Sequence, residues 1–342
     1  MSSVRILSQT VIASLLNQGN ADNAIEIVDL MATTFAAYTT GHKGHSKSAA
    51  AEAQAPLRVS VTTDNHKVLF MPSRLDQTTS IKVVSVPTRD NDSRGLPASI
   101  MVLDQDTGAV ETIMNAGALT AVRTAAGSGL ATRYYANPDA KTLVVLGAGA
   151  QGRSHIDIML AVRPSIERVM VWNRGASRRE ALVKAIQTDY PSLIVKGVTE
   201  SDGSLERAVN EADIVCTCTN ASQPVLRGAW LKSGVHLNCV GSYTMEMHEV
   251  DAETVKRAET IVVDSISACA AEAGELVKSS KSDQWLEMGD VVKSPELQAK
   301  ATEARKTITL FKSVGISVQD SAIAGLMNKR AKDAGLGDIV PF

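Results

Sequence analysis

The stretch Thr142-Leu-Val-Val-Leu-Gly-Ala-Gly-Ala-Gln-Gly-Arg-Ser-His155 restricts the fold more than any other part of the chain. Its first five residues, mostly Leu and Val, read as a strand buried on both faces, because an unbroken apolar run leaves no polar face for solvent. The strand runs straight into Gly147, Gly149 and Gly152, spaced as G-x-G-x-x-G, and Ile156, Ile158, Met159 and Leu160 then predict a helix. In that setting each glycine has a task. Gly147 makes the tight turn, Gly149 lets backbone approach a pyrophosphate, and Gly152 lets the helix pack close to the strand. The phosphates would rest on free N–H groups at the helix start, at Ala150 and Gln151, where the macrodipole is positive. The plainer alternative is a glycine-rich loop that only turns the chain.

An α/β rhythm continues beyond this point. Strands are predicted at 168–172, 193–198, 213–218, 235–240 and 260–264, making six with the first, and helices at 178–188, 204–211 (capped by Ser204) and 296–306. Upstream, a short strand precedes a helix in which Ile25, Val28, Leu30, Met31 and Phe35 recur at near-helical spacing, with Asp22 as its cap. A polar loop at 41–55 contains His42 and His45, which read as solvated residues rather than metal ligands. Strands follow at 57–62, 68–71, 80–86, 99–104 and 110–114, the last two joined as a hairpin by Gln105-Asp-Thr-Gly108. An Ala-rich helix at 115–135 crosses between domains, and the tail holds a strand at 307–315 and a helix at 318–331. The expected architecture is α/β: a Rossmann-type dinucleotide-binding domain at 123–309, plus an α+β substrate and dimerisation domain at 1–122 onto which 310–342 folds back.

Bulk properties narrow the function classes. At 342 residues the chain fits two domains. A formal charge of −2 with no basic stripe argues against nucleic acid or an anionic membrane, and 4% aromatic residues disfavours base-stacking surfaces. No apolar run approaches the ~18 residues of a membrane span, and the N-terminus lacks the pattern of a secretory signal. Cys216, Cys218, Cys239 and Cys269 lack zinc-site spacing and read as reduced thiols, which implies a cytoplasmic location and no metal. The sequons at Asn91 and Asn220 then carry no meaning.

The end of the second strand decides between the two nicotinamide cofactors. A carboxylate there accepts hydrogen bonds from the ribose 2′-hydroxyl of NAD and repels a 2′-phosphate. Here the strand ends in Asn173-Arg174, followed by Arg178 and Arg179, and guanidinium groups suit a phosphate. NADPH is therefore expected over NADH; the alternative for these arginines is a solvated face.

Leu146-Gly-Ala-Gly-Ala-Gln-Gly-Arg-Ser-His155, Val171-Trp-Asn-Arg174, Ala121-Val-Arg-Thr-Ala-Ala126, His236-Leu-Asn-Cys-Val-Gly241 and Phe311-Lys-Ser-Val-Gly315 with Asp320 together resemble the ornithine cyclodeaminase/mu-crystallin family, in the family's order and over nearly the whole chain. The resemblance implies a homodimer associating through its N-terminal sheets, and a small α-amino or α-imino acid substrate. It implies that Arg58, Lys82 and Arg123 hold the substrate carboxylate. It also implies that Gln151, Thr217, Val240, Gly241 and Ser313 line the cofactor, with Lys312 and Ser313 near the nicotinamide or substrate. The residues agree in part: Lys82 interrupts an apolar strand and Arg123 an Ala-rich helix, and buried cations need an anionic partner. For Arg58 a surface position reads equally well. His155, His236 and His248 read as structural or carry no role.

Two departures bear on the reaction. Where cyclodeaminases carry an Asp after the Val-Gly pair this chain has Tyr243, and where they carry a Glu before Met-Pro it has Leu69. Without those acids a diamino substrate would leave an ammonium unpaired. The family's imine-reducing branch fits better: NADPH-dependent reduction of a cyclic ketimine acid such as Δ1-pyrroline-2-carboxylate or Δ1-piperideine-2-carboxylate to the L-amino acid, with Lys82, Tyr243 or water as proton donor. The alternatives are amino acid deamination of the ornithine cyclodeaminase or alanine dehydrogenase kind, and a non-catalytic protein that binds NADPH and a small carboxylate.

Overall fold

A computed structural model of the chain describes residues 3–17, 19–42, 53–88 and 95–342; His45 and the Asn91 sequon lie outside them. Contacts divide the chain into two units, Met1–Arg123 with Ile316–Phe342, and Thr124–Gly315.

The first unit begins with β1 (Ser3–Leu7), α1 (Gln9–Leu16) and α2 (Ala21–His42), then β2 (Ala53–Gln54), β3 (Val59–Thr62), β4 (His66–Leu75), β5 (Thr78–Pro87), β6 (Ala98–Leu103) and β7 (Val110–Asn115). The long helix α3 (Gly117–Tyr135) then leads the chain into the second unit. There the elements are β8 (Thr142–Leu146), α4 (Ala150–Val162), β9 (Arg168–Trp172), α5 (Ala176–Asp189), β10 (Ile194–Val198), α6 (Ser204–Glu211), β11 (Ile214–Thr217) and β12 (His236–Cys239). They continue as α7 (Ala252–Arg257), β13 (Thr260–Val263), α8 (Ile266–Glu272), α9 (Gly274–Val277), β14 (Leu286–Glu287), α10 (Met288–Lys293), α11 (Pro295–Ala304) and β15 (Thr309–Lys312). The chain returns to the first unit as α12 (Ser317–Asp333) and β16 (Asp338–Pro341).

In the first unit one mixed sheet runs β16-β1-β7-β6-β5-β4-β2, with β3 also paired to β4. Helix α12 packs on β4, β5 and β6 and beside α2, whose Ile27, Val28, Met31 and Phe35 are buried at helical spacing. Asn20, not the expected Asp22, caps α2: its Oδ1 accepts from the Asn23 N–H at 3.0 Å. The β6–β7 hairpin turns through Asp104, whose Oδ1 accepts from Thr107 N at 2.8 Å, and through Gly108 at φ +70°. Strand β4 runs on to Leu75, past Pro72 and beyond the predicted end at Met71. On that edge β3 pairs with residues up to Phe70 and β2 only with Arg74 and Leu75, so the missing N–H of Pro72 falls where no partner strand needs it.

The second unit holds one all-parallel sheet in the order β10-β9-β8-β11-β12-β15-β13-β14. It has eight strands rather than six. Strand β15, expected to leave with the tail, is inserted between β12 and β13, and its all-buried Thr309–Lys312 run is what a central parallel strand requires. The chain therefore departs at Gly315, later than the expected 310. Ser204 is the first residue of α6 rather than its cap; Gly203, at φ +69°, holds that position. Among the described residues no helix is long and apolar enough to cross a membrane.

All five residues of β8 are buried, and the order of the sheet reverses between β8 and β11. Gly147 follows β8 at φ +116°, and its backbone lies so close to Cys218, just past β11, that a Cβ would stand 2.5 Å from the Cys218 carbonyl oxygen. A Cβ on Gly152 would overlap the Gly147 carbonyl oxygen, whereas one on Gly149 would meet nothing within 4 Å. The two glycines therefore separate by experiment. Gly152→Ala should lower stability by about 3 kcal/mol or more in thermal or denaturant unfolding. Gly149→Ala should unfold like the native chain yet bind nicotinamide nucleotide more weakly.

Candidate active site

In the first unit three buried ionic side chains meet. Lys82 comes from the middle of β5, between Met71 of β4 and Ile100 of β6. Arg123 comes from α3, and Asp320 from the first turn of α12. Lys82 Nζ lies 2.7 Å from Asp320 Oδ2, and Arg123 Nε donates to Asp320 Oδ1 at 3.0 Å, with Lys82 and Asp320 at most 1% exposed. Gln319 completes the arrangement: its Oε1 accepts from Arg123 Nη1 at 3.0 Å, and its Nε2 donates to the Arg123 carbonyl at 3.3 Å. The anionic partner that two buried cations demanded is thus Asp320, to which the sequence reading assigned no role. The signal in the sequence is that Asp320 is the single charged residue in the first twelve of α12.

One carboxylate does not neutralise two cations. Asp320 can take only part of the three N–H groups of the Lys82 ammonium, which leaves donors for another acceptor. Burial, opposed by Asp320 and assisted by Arg123 and Arg58, lowers the Lys82 pKa to about 7. Arg58, half-buried just before β3, therefore lies within electrostatic reach of Lys82. Beside the ion cluster a hydroxyl chain links the strands to α12: Ser73 Oγ lies 2.6 Å and Ser80 Oγ 2.8 Å from Ser321 Oγ. Leu69 is buried on β4, as an apolar side chain should be.

In the second unit the glycine turn opens α4, with Gly149 at its N-cap position and no side-chain cap. The free N–H groups of that turn suit a phosphate, and Gly149 leaves the space in front of them open. Gln151, in the first turn, has a buried Oε1 without a hydrogen-bond partner among the described residues. At the end of β9, Asn173 Oδ1 accepts from Ala148 N at 3.1 Å and its Nδ2 donates to the Gly175 carbonyl at 3.0 Å, so this residue shapes the turn. Arg174 and Arg178 are exposed and make no ion pair among the described residues. These residues fit a dinucleotide.

The remaining expected cofactor residues gather at the carboxyl ends of β11, β12 and β15, where Val240 N donates to the Thr217 carbonyl and Ser313 N to the Cys239 carbonyl. Several of their side chains are already committed. The Thr217 hydroxyl donates to Glu249, and Ser313 Oγ donates to Asp264 Oδ2 at 2.7 Å. Lys312, fully buried, donates to Ser242 Oγ and Glu275 Oε1. The sequence offers no signal for Glu249, Glu275 or Asp264, because acidic side chains usually face solvent. Tyr243 is half-buried two residues past Gly241. His155 and His236 are enclosed, the former between Ser128 and the Gln151 carbonyl, the latter against Thr309. Burial lowers their pKa values to about 4 and about 3. All four cysteines are free thiols. Among the described residues no three His, Cys, Asp or Glu side chains gather as a metal site.

Replacing Asp320 by Asn would leave Lys82 and Arg123 without their shared counter-charge. Chemical denaturation should show a loss of about 3–5 kcal/mol.

Residues 10–335 match the sequence model of the ornithine cyclodeaminase/mu-crystallin family. A Δ1-pyrroline-2-carboxylate reductase from Bacillus cereus is 32% identical over 301 residues, covering 84% of this chain and 89% of that enzyme. The ketimine reductase mu-crystallin of Rattus norvegicus is 35% identical over 230 residues, 67% of this chain and 68% of that protein. Among solved structures, the Δ1-pyrroline-2-carboxylate reductase of Thermococcus litoralis, in complex with NADH and L-proline, superposes with a TM-score of 0.83 at 28% identity, covering 98% of this chain and 99% of that one. The chain belongs to the ornithine cyclodeaminase/mu-crystallin family.

Proposed function

We propose that the protein is an oxidoreductase that reduces the C=N bond of cyclic imino acids, Δ1-pyrroline-2-carboxylate or Δ1-piperideine-2-carboxylate, to the L-amino acid with NADPH. The observation that carries this reading is the charge count of the first unit. Lys82 and Arg123 share one carboxylate, Asp320, so a small anion is needed to complete the neutralisation. A substrate carboxylate fills that need, with Arg58 as a further cation. The position of Leu69 on β4 and of Tyr243 beyond β12 supplies no acid for a second amine, which favours an imino acid over ornithine. The reductase names of the relatives point the same way.

When bound, the reduced nicotinamide supplies a hydride for the substrate C2. The chain's own part is to orient the carboxylate and to deliver a proton to the ring nitrogen. Lys82 suits both tasks: it touches the anion site, and its pKa of about 7 lets it donate near neutrality. The hydroxyl of Tyr243 is a second candidate donor. Exposed Arg174 and Arg178, with no carboxylate at the end of β9, favour NADPH over NADH, although the Thermococcus relative was solved with NADH. The protein acts as a homodimer in this reading, with exposed Leu57, Val59 and Val61 on the β3 edge as the apolar surface to be covered, and the free thiols fit the cytoplasm.

The direct test follows the absorbance of NADPH, and separately NADH, with either cyclic imino acid and no ammonia. Consumption of NADPH, slower with NADH, is expected; ammonia release from ornithine with no imine reduction would overturn the proposal. Arg174→Ala should raise the KM for NADPH by about tenfold while leaving that for NADH unchanged. Because the protonated ammonium is the donor, kcat/KM should fall as pH rises through about 7. Lys82→Met should remove that limb and lower kcat/KM by about 100-fold or more.

A further inference from the structure

Glu249 lies in the segment between β12 and α7 and is wholly buried. Its carboxylate accepts five hydrogen bonds. Oε1 takes Thr219 N at 2.6 Å and Thr219 Oγ1 at 2.8 Å; Oε2 takes Gly241 N at 2.6 Å, Thr217 Oγ1 at 2.8 Å and Ser242 N at 3.3 Å. One side chain thereby ties the end of β11 to the end of β12. Gly241 is obligatory in this arrangement, since a Cβ there would collide with Thr219 backbone and with the Glu249 carboxylate.

A second acid stands behind the first. Glu275 Oε2 accepts from Glu249 N at 2.7 Å, and its Oε1 accepts from Lys312 Nζ and from Ser242 Oγ, each at 2.8 Å. Burial and Glu275 hold the Glu249 pKa above the usual carboxylate value, against the opposing pull of Lys312 and the Thr219 N–H. Three of the five donors are backbone N–H groups that cannot accept a proton in return, which favours the ionised form. Lys312 holds Glu275 below the usual carboxylate range. Within this cluster Glu249 and Glu275 stand against the one ammonium of Lys312, an excess of one carboxylate sealed from water at the carboxyl ends of β11 and β12, with the further buried carboxylate of Asp264 at the end of β15. Ligands of open parallel sheets bind at those ends. The oxidised nicotinamide ring carries a positive charge that the reduced ring lacks.

We propose that Glu249 is a positioning residue of the nucleotide site that also makes this site discriminate between redox forms, favouring the oxidised cofactor over the reduced one. A site that binds the oxidised form more tightly shifts the bound equilibrium toward hydride release, and so toward substrate reduction. This requires only that the second unit bind a nicotinamide nucleotide, whatever the substrate.

The test titrates the full-length protein, without substrate, with NADP+ and with NADPH by calorimetry or fluorescence, for the native chain, Glu249→Asp and Glu249→Gln. Glu249→Asp keeps the charge and shortens the tie; it should weaken both forms alike and leave their Kd ratio within about twofold of native. Glu249→Gln removes the charge and should weaken NADP+ about fivefold more than NADPH. Equal weakening of both forms by Glu249→Gln would overturn the proposal. If that variant does not fold, Glu275→Gln removes the same excess charge, and an unchanged ratio there overturns the proposal as well.

Discussion

Two buried cations that share one carboxylate organise the first unit. Lys82 on β5, Arg123 on α3 and Asp320 on α12 are far apart in sequence and cannot be desolvated separately, because each unpaired charge would cost several kcal/mol. Their meeting fixes the start of α12 on the sheet, and the Ser73, Ser80 and Ser321 hydroxyls extend the polar contact along the same face. The arrangement stops one charge short of neutrality. Burial lowers the pKa of Lys82, the neighbouring guanidinium groups add to that, and the unbalanced cation defines an anion site.

The second unit solves a related problem with the opposite sign. Its parallel strands end in backbone N–H groups, and Glu249 gathers those of Thr219, Gly241 and Ser242 onto one carboxylate. Asp264 likewise accepts from the Ser313 hydroxyl and from the Gly315 N–H at the end of β15. Such acids are part of the scaffold: they satisfy donors that would otherwise be buried without a partner. Because Lys312 balances only one of Glu249 and Glu275, the scaffold also carries net charge into a site built for a charged ligand.

Local features were legible in the sequence where a short window decides them. The all-apolar β8, the glycine turn and the near-helical spacing of Ile25, Val28, Met31 and Phe35 depend on periodicity and on steric limits of single residues. Choices between adjacent residues were less legible. Asn20 rather than Asp22 caps α2, and Gly203 rather than Ser204 caps α6, since any of these side chains suits a helix start and the local backbone makes the selection. Pro72 reads as a strand end, yet β4 continues through it because the partner strands on that edge leave a gap.

By itself the sequence determined the strand-turn-helix that receives a dinucleotide, the absence of an acid after β9, and the need of Lys82 and Arg123 for an anion. These follow from covalent sterics, hydrophobic period and the cost of burying charge, which act within one segment or on one residue. Only the tertiary structure decided that Asp320 is that anion, that β15 enters the parallel sheet between β12 and β13, and that Glu249 joins two strand ends. Each of these is a pairing across long stretches of chain. Nothing in a carboxylate's own neighbours in sequence distinguishes one that will face water from one that will meet a buried lysine or a row of backbone N–H groups.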